Sequence, residues 1–221
     1  MIFENRSDAG RRLAEALLRF KGRDPVVLAL PRGGVPVGFE IARALGAPLD
    51  LVLVRKIGVP FQPELAAAAV VDGESMELVV NEEIVAAAGV SEDYLQREAA
   101  RQVEEIERRR RVYLEGRAPV SVAGRTTIVV DDGIATGATM RAALRAVRRR
   151  KPAHLVLAAP VAPPEAIAEL RPEVDEVVCL SIPEYLGGIG AAYEDFHQLE
   201  DDEVRELLAR AAIPEERPAA G

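Results

Sequence analysis

Apolar residues in this chain fall into two kinds of run. Val26-Val27-Leu28-Ala29-Leu30 and the stretch 126–130 are short, unbroken and rich in β-branched side chains, as in strands covered on both faces. Residues 49–54, 154–159 and 176–182 read the same way, and 67–71 is a weaker third strand. Elsewhere apolar positions recur every three or four residues, at Leu13, Leu17 and Phe20, at Val37, Ile41 and Leu45, and at Met140, Leu144 and Val147. Those spacings predict helices with one inward face. Ser7 or Asp8 is expected to cap the first helix and Gly22 to end it, and Pro152 to stop the helix that carries Met140. A short helix is expected from Pro164 to Leu170. Buried strands alternating with helices predict an α/β fold, a largely parallel sheet flanked by helices.

The segment from about 73 to 116 has a different character. After a short helix near 81–88, Ser91 can cap a long one whose Leu95, Ala99, Val103, Ile106 and Tyr113 make an apolar stripe. Glu104/Arg108, Glu105/Arg109 and Glu107/Arg111 each place the acid four residues before the base, so the arginine run 108–111 reads as a salt-bridged solvated face. The segment reads as a helical insertion within one unit spanning 1–221. Its stripe must bury against the chain's own core or a second subunit, serving assembly or a lid. The tail after Ile213 is rich in Pro, Glu and Ala and is expected to fray.

Composition narrows the function classes. With 221 residues, 49% hydrophobic and 29% charged, the chain is an ordinary globular one. A net charge of −8 argues against a nucleic-acid or anionic-membrane surface. No run approaches the length of a membrane span and the N-terminus is charged, so a cytoplasmic protein is expected. Cys179 is the single cysteine and sits in an apolar run, so it reads as an inert buried thiol; His154 and His197 are too few for a histidine-rich metal site.

The chemistry-bearing string is Ile128-Val129-Val130-Asp131-Asp132-Gly133-Ile134-Ala135-Thr136-Gly137-Ala138-Thr139-Met140. A buried strand delivers two carboxylates to its C-terminal end, where ligands bind in open α/β sheets. The small residues that follow expose backbone N–H groups beside the Thr136 and Thr139 hydroxyls and the positive end of a helix, which makes a monophosphate cradle. Together they fit a sugar phosphate, hydroxyls to the acids and phosphate to the loop. Pro31-Arg32-Gly33-Gly34 is a second strand-to-helix turn whose glycines let backbone approach an anion, although a plain turn would look alike. Arg55 and Lys56 end the expected second strand, on the same sheet edge, as two solvated charges or a phosphate contact. The cluster Tyr193, Phe196 and His197, after the glycines 187, 188 and 190, either closes the core or offers a platform for a flat heterocycle.

The 128–140 string resembles the phosphoribosyl pyrophosphate signature of the type I phosphoribosyltransferases: four apolar residues, two acids, two apolar residues, then a small-Thr-Gly-x-Thr turn. The resemblance implies Mg²⁺-dependent transfer of 5-phosphoribosyl from its pyrophosphate to a nitrogen acceptor, a nucleobase above all, with release of pyrophosphate. It implies that Asp131 and Asp132 hold the ribose hydroxyls and that one of them reaches Mg²⁺ or its water. Ala135, Thr136, Gly137, Ala138 and Thr139 would then hold the 5-phosphate, and Arg32, Gly33 and Gly34 the pyrophosphate, with Arg55 and Lys56 as basic contacts. A hood over the acceptor would fall at about 183–200, using Tyr193 and Phe196. The family also implies a homodimer. The hypoxanthine-guanine branch carries an acid where this chain has Ala135, which argues against that branch. A non-catalytic sensor of phosphoribosyl pyrophosphate is the alternative expectation.

Overall fold

The computed structural model describes residues 1–73 and 76–212, so the expected fraying after Ile213 lies outside the described residues. In chain order the elements are α1 (Arg6–Leu17), β1 (Pro25–Ala29), α2 (Gly34–Leu45), β2 (Leu49–Leu51), β3 (Val54–Val59), β4 (Gln62–Val71), β5 (Glu77–Val80), α3 (Glu82–Ala88), α4 (Glu92–Leu114), β6 (Thr126–Val130), α5 (Ala138–Arg149), β7 (His154–Val161), α6 (Pro164–Leu170), β8 (Glu176–Ser181) and α7 (Asp201–Ala211). Five strands form a parallel sheet in the order β2-β1-β6-β7-β8. Side chains alternate between its faces. Val27, Ala29, Ile128, Val130, Val156 and Ala158 meet the helices α1 and α2, whereas Val26, Leu28, Val129, Leu155 and Leu157 join the core under α5 and α6. Both faces are buried, which is why these strands show no polar alternation.

Local capping departs from expectation at α1. Asn5 takes the cap, its Oδ1 accepting the Asp8 N–H at 2.9 Å, because Ser7 and Asp8 already lie inside the first turn. The expected strand over 49–54 is also two elements. β2 stops at Leu51, and the chain passes from the parallel sheet to a separate antiparallel one of order β3-β4-β5. At the crossing, Val52 N–H donates to Ala29 O at 3.0 Å and Asp72 N–H to Leu53 O at 2.9 Å, so the continuous apolar run serves two sheets.

The segment 73–116 is therefore not purely helical: β5 pairs with β4, as in Ala69 opposite Val79. Ser91 caps α4 as expected, its Oγ accepting Tyr94 N–H at 3.3 Å. The apolar stripe is covered by the same chain, with Leu95, Ile106 and Tyr113 buried and α4 packed on β3, β4 and α7. Of the three expected ion pairs, Glu105–Arg109 forms at 2.8 Å and Glu105 also takes Arg108. Arg110 instead turns inward to Asp72. Among the described residues no helix is long and apolar enough to cross a membrane.

Candidate functional site

At the C-terminal edge of the parallel sheet two strand-to-helix loops lie side by side: 30–33 after β1, and 131–137 after β6. Their closeness is enforced by glycine. A Cβ on Gly33 would sit 2.1 Å from Asp132 Oδ2, and one on Gly34 would sit 2.7 Å from Val130 O. Any side chain there would push the two loops apart. The Pro31–Arg32 peptide in the first loop is cis. Gly137 ends the second loop at φ +77°, a left-handed conformation that a β-branched residue resists, and it places α5 directly behind the loop.

Polar groups at this edge are only partly satisfied from within the chain. The first intrahelical bond of α5 runs from Arg141 N–H to Gly137 O at 2.8 Å, so the amides of Ala138, Thr139 and Met140 precede it without a helical acceptor. No side chain caps α5 or α2, whereas Asn5, Asn81, Ser91 and Glu200 cap α1, α3, α4 and α7. Ala135 and Thr136 are exposed at the tip of the loop, and Ala138 and Thr139 are half-buried. The arrangement offers a compact anion several amide donors and the positive end of a helix.

The two acids stand in different surroundings. Asp132 is buried, its Oδ2 accepting the Arg6 Nε–H at 2.7 Å. Asp131, half-buried, accepts the Asp132 backbone N–H on Oδ1 at 2.8 Å and makes no ion pair among the described residues. Loss of surrounding water, then the neighbouring Asp132 charge, pushes the Asp131 carboxyl well above the usual carboxylate range. Such a group is relieved by hydroxyl donors or a cation. Among the described residues no three His, Cys, Asp or Glu side chains gather to cage a metal. One free carboxylate does fit Mg²⁺, which protein sites bind through one or two carboxylates plus substrate oxygens; Asp131 is that carboxylate, and Asp132 is already paired.

The other expected residues divide. Arg32 is on the loop, its guanidinium 3.7 Å from Asp201 of α7, an acid that also accepts the Tyr113 hydroxyl at 2.6 Å. Lys56 is exposed and lines a cavity of about 460 Å³ together with Thr136 and Ala138. Arg55 is not brought there: it lies within β3, not at a parallel-sheet edge, and donates to Gln102 Oε1 at 3.0 Å on α4. Tyr193 is buried and donates its hydroxyl to Asp132 O, which makes it packing beneath the acids. Phe196 stacks on Tyr193 at 5.1 Å between centroids and stays partly exposed. His197, exposed between Glu203 and Asp195, has its pKa raised by hydrogen bonds to those two acids. Cys179 is half-buried with its thiol pKa raised by burial, in keeping with an inert group.

Arg6 is the participant that sequence reasoning missed. Its partner is 126 positions away, and the only local signal was a cation at the first position of a helix, where the dipole disfavours it.

Fold and loops together define an α/β protein with two glycine-containing strand-to-helix loops side by side at the C-terminal edge of its parallel sheet. A family model, the phosphoribosyl transferase domain, matches residues 2–194, and the chain belongs to that family. A Mycobacterium tuberculosis protein named "Putative phosphoribosyl transferase" is 44% identical over 210 residues, covering 95% of this chain and 47% of its own length. The chain thus spans about half the length of the curated relatives it matches. Among solved structures, the crystal structure of TT1426 from Thermus thermophilus superposes with a TM-score of 0.82 at 45% identity, covering 96% of this chain and all of that one.

Proposed function

We propose that the chain transfers 5-phosphoribosyl from phosphoribosyl pyrophosphate to a nitrogen acceptor, holding ribose with Asp131, the 5-phosphate with residues 135–139 and the pyrophosphate with the Arg32-Gly33-Gly34 loop. The observation that carries this reading is the half-buried Asp131 carboxylate, left without a basic partner among the described residues and set between two loops whose helices lack side-chain caps. Ribose hydroxyls donating to Asp131 supply the missing partners, and phosphate groups accept from the helix-start amides.

Cleavage of the bond to pyrophosphate leaves positive charge on the anomeric carbon and negative charge on the leaving group. Backbone N–H groups of the glycine turn and the Arg32 guanidinium stabilise the departing anion, while Asp131 accepts hydrogen bonds from the ribose hydroxyls and orients the sugar. No covalent nucleophile is needed. Mg²⁺, when bound, would be held by Asp131 and would neutralise phosphate charge. Lys56 is a further phosphate contact, from the cavity wall it shares with Thr136.

The test is a screen of nucleobases for pyrophosphate release from phosphoribosyl pyrophosphate in the presence of Mg²⁺. Release with one class of base supports the transferase. Silence with every base, beside tight binding of phosphoribosyl pyrophosphate, favours a sensor.

A further inference from the structure

Arg6 ties together three parts of the molecule that the chain brings from far apart. Its Nε–H donates to Asp132 Oδ2 at 2.7 Å, and a second nitrogen donates to His197 O at 2.8 Å. The guanidinium carbon lies 3.9 Å over the centre of the Phe196 ring, whose other neighbour is Tyr193. Tyr193 in turn donates its hydroxyl to Asp132 O, so the acid is held at its carboxylate and at its backbone by one connected set of groups. Phe3, near the N-terminus, closes the set, bonding Ala192 O through its N–H at 2.8 Å and accepting Glu194 N–H at 2.8 Å.

We propose that Arg6 is a positioning residue of the phosphoribosyl site, fixing the Asp132 carboxylate and, through it, the spacing between the acid pair and the Gly33 turn. The inference rests on the reading given under Proposed function. Gly33 packs directly on the Asp132 carboxylate, so a shift of that carboxylate displaces the turn. Arg6 is buried with only 10% of its side chain exposed, and every contact it makes is directional. It also pairs with Asp132 Oδ2, whereas Asp131 accepts a backbone N–H on Oδ1 and makes no ion pair among the described residues. The loop at residues 135–139 makes none of these contacts.

The experiment is calorimetric titration of wild type, Arg6→Met and Arg6→Lys with ribose 5-phosphate and, separately, with inorganic phosphate. Ribose 5-phosphate should bind Arg6→Met at least tenfold more weakly, while phosphate binds both proteins alike. Arg6→Lys keeps the charge but cannot serve Asp132, His197 and the ring at once, so its affinity should fall between the two. A purely structural arginine would lower the melting temperature and leave the ribose 5-phosphate affinity within twofold, and that result overturns the proposal. If Arg6→Met does not fold, Phe196→Leu removes the ring under the guanidinium while keeping both hydrogen bonds. It should cost about threefold in ribose 5-phosphate affinity, and no change would overturn the proposal equally. Failure of the wild type itself to bind ribose 5-phosphate would instead sink the reading on which the proposal rests.

Discussion

Asp72 and Asp131 are both acids drawn out of bulk water at the ends of strands, and the molecule treats them in opposite ways. Asp72, after β4, receives Arg110 on both carboxylate oxygens at 2.7 Å, and its backbone O takes a hydrogen bond from Arg150. Asp131, after β6, receives one backbone amide. Desolvation is the largest cause raising both carboxyl groups, but at Asp72 the hydrogen bond and charge of Arg110 oppose it, whereas at Asp131 the next cause, the Asp132 charge, adds to it. The helices follow suit: α3 and α4 beside the antiparallel sheet carry side-chain caps, and α2 and α5 at the parallel-sheet edge carry none. One region meets its desolvated acid with a cation, and the other leaves its acid without an ion pair among the described residues and the first amides of α5 without a side-chain cap.

The contrast is sharpest in paired substitutions. Asp132→Asn strands the buried Arg6 charge and Arg110→Met strands the Asp72 charge, and each should lower unfolding free energy by about 3 kcal/mol in urea titration. Only the first should also weaken ribose 5-phosphate binding; a loss of affinity in Arg110→Met would erase the distinction between the regions. Gly137→Val comes next. It forces a β-branched residue to φ +77° and should cost about 1–3 kcal/mol, while reducing affinity for both inorganic phosphate and ribose 5-phosphate; equal phosphate binding would remove the loop from the site. Glu105→Gln, on the exposed face of α4, is the smallest, below about 1 kcal/mol. Hydrogen bonds from Arg108 and then Arg109 hold the Glu105 pKa down to about 2. A depressed carboxylate stabilises the fold above its unfolded value, and that contribution is lost as pH falls from the ordinary glutamate range toward about 2. The difference between wild type and Glu105→Gln in thermal melts should therefore vanish in acid.

The same two regions differ in how far sequence alone reveals them. The candidate site was legible as a pattern because the proposed chemistry demands particular residues at fixed spacing: two acids ending an apolar strand, then Thr136, Gly137 and Thr139. The antiparallel sheet was not. Residues 51–54 form an unbroken apolar run, and nothing in the pattern marks Val52 and Leu53 as the crossing between sheets. β5 has only four residues, too few for a period to register. Arg55 was misplaced for that reason, since its position depends on which sheet the strand joins. Long-range partners were equally hidden: Arg110 was read as part of a solvated face although it reaches Asp72, and Arg6 met the acid pair only through the fold.

The central claim is that Asp131 is held free for the sugar of a phosphoribosyl ligand. Its most direct test is calorimetric titration of wild type and Asp131→Asn with phosphoribosyl pyrophosphate, with and without Mg²⁺, beside a urea melt of each protein. Removing a desolvated charge that lacks an ion partner among the described residues should leave stability within about 0.5 kcal/mol of wild type or above it, while affinity falls at least a hundredfold and loses its dependence on Mg²⁺. An Asp131→Asn protein that binds phosphoribosyl pyrophosphate as tightly as wild type, with the same response to Mg²⁺, would contradict the account.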